Sequence, residues 1–134
     1  MITLDTSAIF ALLNRSDPDH EAVRSAFAGD GGPYIVPAGI LAEIGYLVER
    51  RLGIKVLDAL LVDLQQRAMT VDCGGEDLAR IRELAARYAD LPLGLADAVV
   101  IACAERNGGS VLTLDFRHFR AVAREGKIRL QPAR

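Results

Sequence analysis

The 134-residue chain is 51% hydrophobic and 25% charged, with twelve glycines, five prolines and a formal net charge of −2. That composition suits one globular domain and excludes disordered and collagen-like chains, and no apolar run approaches the ~20 residues a bilayer-spanning helix needs, so a cytoplasmic protein without a membrane segment is expected. The charge is unevenly placed: residues 1–105 carry nine Lys/Arg against sixteen Asp/Glu, and residues 106–134 carry seven against two.

Ile2-Thr3-Leu4 is a short β-branched apolar run, and Asp5-Thr6-Ser7 turns it into an apolar helix, so Asp5 stands at a strand's carboxyl end. Asp17-Pro18-Asp19 caps a second helix through Phe27, and a loop from Gly29 to Pro33 leads into a strand at 34–36. Pro37 suits the first turn of a third helix, where Ile40, Leu41, Ile44, Leu47 and Val48 recur at helical spacing up to the basic end Arg50-Arg51 and Gly53. An amphipathic helix at about 55–67, a strand at 69–71 and a helix at 76–88 follow. Asp90-Leu91-Pro92-Leu93-Gly94 is a turn into a helix at 95–107, closed by Gly108-Gly109. Residues 110–114 read as a strand ended by Asp115, 116–123 as a short helix and 128–130 as an edge strand. Short apolar strands alternating with helices predict an α/β fold with a parallel sheet covered on both faces.

Cys73 and Cys103 have no CxxC spacing and no neighbouring His, and read as two free thiols. With His20 and His118 the only histidines, neither a histidine-based zinc centre nor a Ser/His/Asp triad is indicated, unless His118 were the triad's base. Any catalysis must therefore rest mainly on carboxylates.

Four acids stand out. Asp5 and Asp115 fall at carboxyl ends of two strands, where open α/β sheets bind ligands, although each could simply cap the helix after it. Glu43 shares its helix face with Ile40, Tyr46 and Leu47, an apolar setting in which a carboxylate requires a cation, a metal or a buried structural pair. Asp97 has Leu93, Gly94, Val100 and Ile101 at helical spacing, with the dipole of a first turn as its alternative support. A divalent cation is the simplest common cause, because Mg²⁺ and Mn²⁺ take oxygen ligands and uncompensated carboxylates repel one another. Thr6, Ser7 and Thr113 lie beside two of these acids and suit hydrogen bonds to a carboxylate or phosphate, or plain helix caps. Asp90 is a further acid that turn chemistry explains equally well.

The stretches LDTSAIFALL, AEIGYL, YADLPLGLADA and VLTLDFRHF, in this order along the whole chain, resemble those of PIN-domain ribonucleases, and more narrowly of the VapC-type toxins of type II toxin-antitoxin pairs. The resemblance implies a single domain over 1–134 with a three-layer α/β/α fold around a central parallel sheet. It implies an endoribonuclease dependent on Mg²⁺ or Mn²⁺, with Asp5, Glu43, Asp97 and Asp115 as catalytic acids, of which Asp5, Asp97 and Asp115 hold metal. Thr6, Ser7 and Thr113 match supporting polar positions. Structured RNA such as tRNA or rRNA is the implied substrate, cut to leave a 5′-phosphate and a 3′-hydroxyl.

A homodimer and a cognate antitoxin are implied partners, the antitoxin's C-terminal segment lying across the active site and its N-terminal part contacting operator DNA. Tyr46, Leu47, Leu52 and the series Leu57, Leu60, Leu61 and Leu64 either offer a groove for such a segment or belong to the core. Arg117, Arg120 and Arg124 recur at three- and four-residue spacing and would meet an RNA backbone if helical, or else form a solvated face. Two other readings stand beside this one: a catalytically silent acidic binding module, and an aspartate-based phosphatase with Asp5 as nucleophile. Against the phosphatase, Ser7 occupies the place of the second acid in D-x-D.

Overall fold

A computed structural model of the chain describes residues 1–72, 74–91 and 93–132. In chain order the elements are β1 (Ile2–Leu4), α1 (Thr6–Leu13), α2 (His20–Asp30), β2 (Tyr34–Pro37), α3 (Leu41–Leu52), α4 (Ile54–Gln65), β3 (Thr70–Asp72), α5 (Leu78–Arg87), α6 (Leu95–Arg106), β4 (Ser110–Leu112), α7 (Phe116–Ala123) and β5 (Arg129–Gln131). Single 3₁₀ turns at Ala38–Ile40 and Gly75–Asp77 lead into α3 and α5.

The five strands pair all-parallel in the order β3-β2-β1-β4-β5. Chain progression runs outward from β1 to β3, then crosses back to β4 and on to β5, so the direction of winding reverses between β1 and β4. Right-handed crossovers then place α1–α4 on one face and α5–α7 on the other, giving three layers. The reversal opens a crevice at the carboxyl ends of β1 and β4, the usual ligand position in such sheets.

The central strands are dry: Ile2, Leu4, Val111 and Leu112 have no exposed surface. Each such side chain contributes about 1.5–3 kcal/mol through burial. Helix α6 is the most enclosed, with Ala98, Val100, Ile101, Ala102, Cys103 and Ala104 all buried. It packs against β1, β4 and α5, so its first turn, which carries Asp97, is fixed by the core.

Helix α7 falls at 116–123 as expected, and the edge position of the last strand is also found. Pro37, expected to open a helix, instead ends β2 with an extended backbone, φ −60° and ψ 131°. Proline fixes φ alone; pairing with Asp72 of β3 decides ψ. The strand expected at 69–71 lies one residue later, with Met69 buried ahead of it. The strand expected at 110–114 stops at Leu112, so Asp115 stands three residues beyond it as the residue before α7. The helix expected at 76–88 begins as the 3₁₀ turn and becomes α-helical at Leu78. Cys103 is disulfide-bonded, correcting the expectation of two free thiols, while Cys73 lies outside the described residues. Spacing along a sequence carries no information on whether two thiols meet. No helix among the described residues is long and apolar enough to cross a membrane.

Two glycines let backbones meet closely. A Cβ on Gly39 would lie 2.8 Å from Val99 Cγ1, where the 3₁₀ turn before α3 crosses α6. Gly109, at φ +87°, links α6 to β4, and a Cβ there would lie 2.7 Å from the Lys127 carbonyl oxygen. Gly109→Ala combines left-handed strain with that backbone clash, and is expected to lower stability by about 2 kcal/mol or more in a thermal or urea melt.

Candidate active site

The crevice between β1 and β4 is a cleft of about 380 Å³. Asp5, Glu43, Asp97 and Asp115 all line it, although they come from the end of β1, from α3, from the first turn of α6 and from the residue before α7. The topology is what joins them: Asp5 and Asp115 follow the two strands that flank the winding reversal, and α3 and α6 start at the same edge of the sheet.

Asp5 is buried, with 6% of its surface exposed. It makes no side-chain cap bond to α1. Instead Thr113 Oγ1 donates to Asp5 Oδ2 at 2.8 Å and Ser7 Oγ donates to the same oxygen at 3.0 Å. Ser7 Oγ in turn accepts from the Leu114 N–H at 3.0 Å, and Thr113 Oγ1 from the Asp115 N–H at 2.9 Å, which ties the first strand's acid to the loop after β4. Burial pushes the Asp5 carboxyl up to about 6 despite these hydrogen bonds, and the charge of Asp97 adds to the rise. Thr6 also lines the cleft, and its Oγ1 is buried without a hydrogen-bond partner among the described residues.

Asp97 and Asp115 form a tighter group with His118. His118 Nδ1 lies 3.2 Å from Asp97 Oδ2 and 3.2 Å from Asp115 Oδ2, and ligand atoms of the three residues fall within 4.8 Å of one another. Asp97 is raised above the ordinary carboxylate range by burial and by the neighbouring Asp115 charge, with His118 opposing both. Asp115 makes no cap bond to α7, so neither strand-end acid serves as the cap it could have been.

Glu43 differs from the expectation of an acid in an apolar stripe: it is exposed on the cleft wall. The core stripe of α3 is Ile44 and Val48, while Tyr46 is 61% exposed, because only part of the apolar surface of this helix faces the sheet. Within the leucine series, Leu60 is core, Leu57 and Leu64 pack partly against it, and Leu61 is 50% exposed. Arg117, Arg120 and Arg124 stand exposed on α7 and its end, outside the cleft lining, and Asp90 is exposed in a turn away from it.

The structure adds two charged residues to the cleft lining, Asp17 and Arg51, and sets His118 against two of its acids. His118 reads in the sequence as no more than a possible triad base, yet its spacing of three from Asp115 on a helix start places both on one face. Asp17 and Arg51 also line the cleft and carried no sequence signal beyond helix-end chemistry.

The donor set fits a hard divalent cation. Oxygen ligands predominate, burial and then neighbouring charge raise the carboxyls of Asp5 and Asp97, and a 2+ charge would offset both the desolvation cost and that repulsion. Among the described residues, Asp97, Asp115 and His118 bring ligand atoms close enough to share one ion, and Asp5 lines the same cleft beside them.

Fold and cleft together define a doubly wound α/β domain with a four-carboxylate site. The PIN domain family model matches residues 2–125. Ribonuclease VapC26 of Mycobacterium tuberculosis is 33% identical over 121 residues, covering 89% of this chain and 90% of that protein. Among solved structures, Mycobacterium tuberculosis VapC20, described as a sarcin-ricin loop cleaving toxin, superposes with a TM-score of 0.78 at 22% identity over 90% of this chain and 95% of its own. DNA-bound VapBC of Salmonella typhimurium superposes with a TM-score of 0.72 at 21% identity, over 97% of this chain and 96% of its own. The chain belongs to the PIN domain family, among the VapC-type toxin ribonucleases.

Proposed function

We propose that residues 1–134 act as a single toxin domain that hydrolyses RNA phosphodiester bonds with Mg²⁺, or alternatively Mn²⁺, held by Asp5, Asp97 and Asp115. The observation that carries this is the convergence of four carboxylates from four separate elements on one cleft. When bound, the cation supplies polarisation of the phosphoryl oxygens and a lowered pKa for water. The chain supplies position. Ser7 and Thr113 clamp the Asp5 carboxylate, and the hydrogen bond from the Asp115 backbone to Thr113 fixes the loop after β4 to the same point. Glu43, exposed on the cleft wall and outside the tight Asp97, Asp115 and His118 group, takes the proton from the attacking water. In-line attack breaks the P–O3′ bond, and the departing 3′-oxygen takes a proton from solvent, leaving a 5′-phosphate and a 3′-hydroxyl.

Structured RNA, tRNA or rRNA, is the proposed substrate, since a carboxylate site is blind to base identity and selectivity must come from shape. The exposed Arg117, Arg120 and Arg124 row is proposed to meet the RNA backbone; replacing all three with Gln should flatten the salt dependence of RNA binding, and an unchanged slope would remove them from the interface. A cognate antitoxin covers the cleft of a cytoplasmic homodimer, and operator DNA is contacted through the antitoxin alone. The VapBC architecture of the Salmonella neighbour supports such a partner.

The test is induced expression of the wild type and of Asp5→Ala, with total RNA sequenced at its new 5′ ends. Growth arrest with one discrete cut that disappears in Asp5→Ala is expected. Arrest by both proteins without any cut would favour the silent binding module.

A further inference from the structure

Hydrolysis at the four acids leaves the one arginine of the described cleft lining without a task. Among the described residues Arg51 is the only basic side chain lining the cleft, against Asp5, Asp17, Glu43, Asp97 and Asp115. In the sequence it reads as part of the basic end of α3, where a positive charge complements the last carbonyls. Its position says more. Glu43, Leu47 and Arg51 follow one another at four-residue steps along the cleft wall, so Arg51 lies about 12 Å along the helix axis from the acid. Its guanidinium sits over the Phe10 ring of α1, 5.7 Å from the centroid. It makes no ion pair or hydrogen bond among the described residues, whereas Arg24, Arg80, Arg87 and Arg106 are all held by carboxylates. A guanidinium placed by an aromatic face keeps its planar set of N–H donors for an anion, and phosphate is the anion it matches bidentately.

We infer that Arg51 forms a phosphate subsite that takes an RNA backbone phosphate one to three nucleotides from the bond being cut. The inference rests on the ribonuclease reading above and deepens it. An RNA strand entering a cleft with five acids meets repulsion everywhere except at the cation site and at Arg51. Arg51 stands two helical turns beyond Glu43 and outside the group of Asp97, Asp115 and His118, so the phosphate it takes is assigned to a neighbour of the scissile one. Arg51 is thus a positioning residue: it sets the register of the strand over the acids.

The experiment uses the full chain carrying Glu43→Gln, so that binding is read without cleavage and with the proposed cation ligands in place, alone and combined with Arg51→Gln or Arg51→Lys. The probe is a fluorescent single-stranded RNA of about 12 nucleotides with Mg²⁺ present, and a set of the same RNA with one methylphosphonate at each position in turn. Arg51→Gln is expected to weaken binding about tenfold and to lower the salt slope by about 0.7, the share of one phosphate contact on a single strand. One methylphosphonate position should weaken binding to the parent yet have no further effect on Arg51→Gln, and Arg51→Lys should restore part of the affinity. The melting midpoint should stay near that of the parent, which separates phosphate binding from a role in closing α3.

Unchanged affinity in Arg51→Gln overturns the subsite and leaves the ribonuclease reading standing. Equal loss at every methylphosphonate position, or a loss of affinity that tracks a fall in melting midpoint, overturns it as well. If the parent binds no RNA at any salt concentration while it still binds Mg²⁺, the ribonuclease reading falls and the subsite with it.

Discussion

Asp5→Asn should abolish RNA cleavage, by at least ~10³-fold, and at the same time make the metal-free protein more stable. The two effects have one cause. Asp5 is buried, and burial lifts its carboxyl to about 6, so at neutral pH the metal-free fold holds a charge it would rather not carry. Neutral Asn keeps an oxygen to accept from Ser7 and Thr113 without that cost, and stability should rise on the order of 2 kcal/mol, several degrees in a chain of this size. Wild type should gain thermal stability on adding Mg²⁺ or Mn²⁺, because the cation binds only the folded cleft, and Asp5→Asn should lose most of that gain. Thermal melts with and without metal, alongside 5′-end mapping of cut RNA, measure all three. A metal-free midpoint below that of the wild type would show that Asp5 is a structural acid.

The second large effect lies far from the cleft. Arg80 of α5 joins Glu105 of α6 through two hydrogen bonds of 2.7 and 2.8 Å, and reaches Glu125, after α7, at 2.8 Å. Glu125 also accepts from the Tyr88 hydroxyl and pairs with Arg87 at 3.2 Å. The cluster ties together the three helices of one face. Arg80→Ala leaves two largely covered carboxylates without their main cation, and a loss of about 3 kcal/mol is expected, read as a fall of roughly 10 °C in melting midpoint.

Acid should reproduce part of that loss. Burial at Glu125 works against its charge, but the bonds from Tyr88, Arg80 and Arg87 outweigh it and hold the carboxyl at about 2, below the ordinary 4.5. A depressed carboxyl stabilises the fold fully above its unfolded value, so this contribution, on the order of 2 kcal/mol after screening, is lost as pH falls from about 4.5 toward 2. Urea unfolding across that range should show the slope in wild type and a flatter one in Arg80→Ala. Equal slopes would mean that other carboxyls govern acid unfolding.

The elements themselves were legible because each rests on local signals. Leu95–Arg106 shows a run of Ala, Val and Ile closed by two glycines, and Phe116–Ala123 shows apolar residues at helical spacing after an acid. The elements that shifted are those where a neighbour decides. Pro37 became extended through pairing with Asp72, and the strand after Ser110 ended early because the chain turns at Thr113 to meet Asp5.

The site divides in the same way. Asp5, Asp97 and Asp115 were visible in the sequence because a charged residue in an apolar run breaks the pattern that packing imposes, and such a break is a local fact. Glu43 was visible for the same reason but its burial was not, since a helix's apolar stripe can face a cleft as well as a core. His118 against Asp97, Arg51 over Phe10 and the bond at Cys103 were hidden, because each depends on which elements the sheet order brings together. The sequence by itself determined the segments, the parallel α/β class and the acids. Only the tertiary structure decided that the winding reverses between β1 and β4, and that reversal is the physical reason four distant carboxylates and an arginine share a cleft.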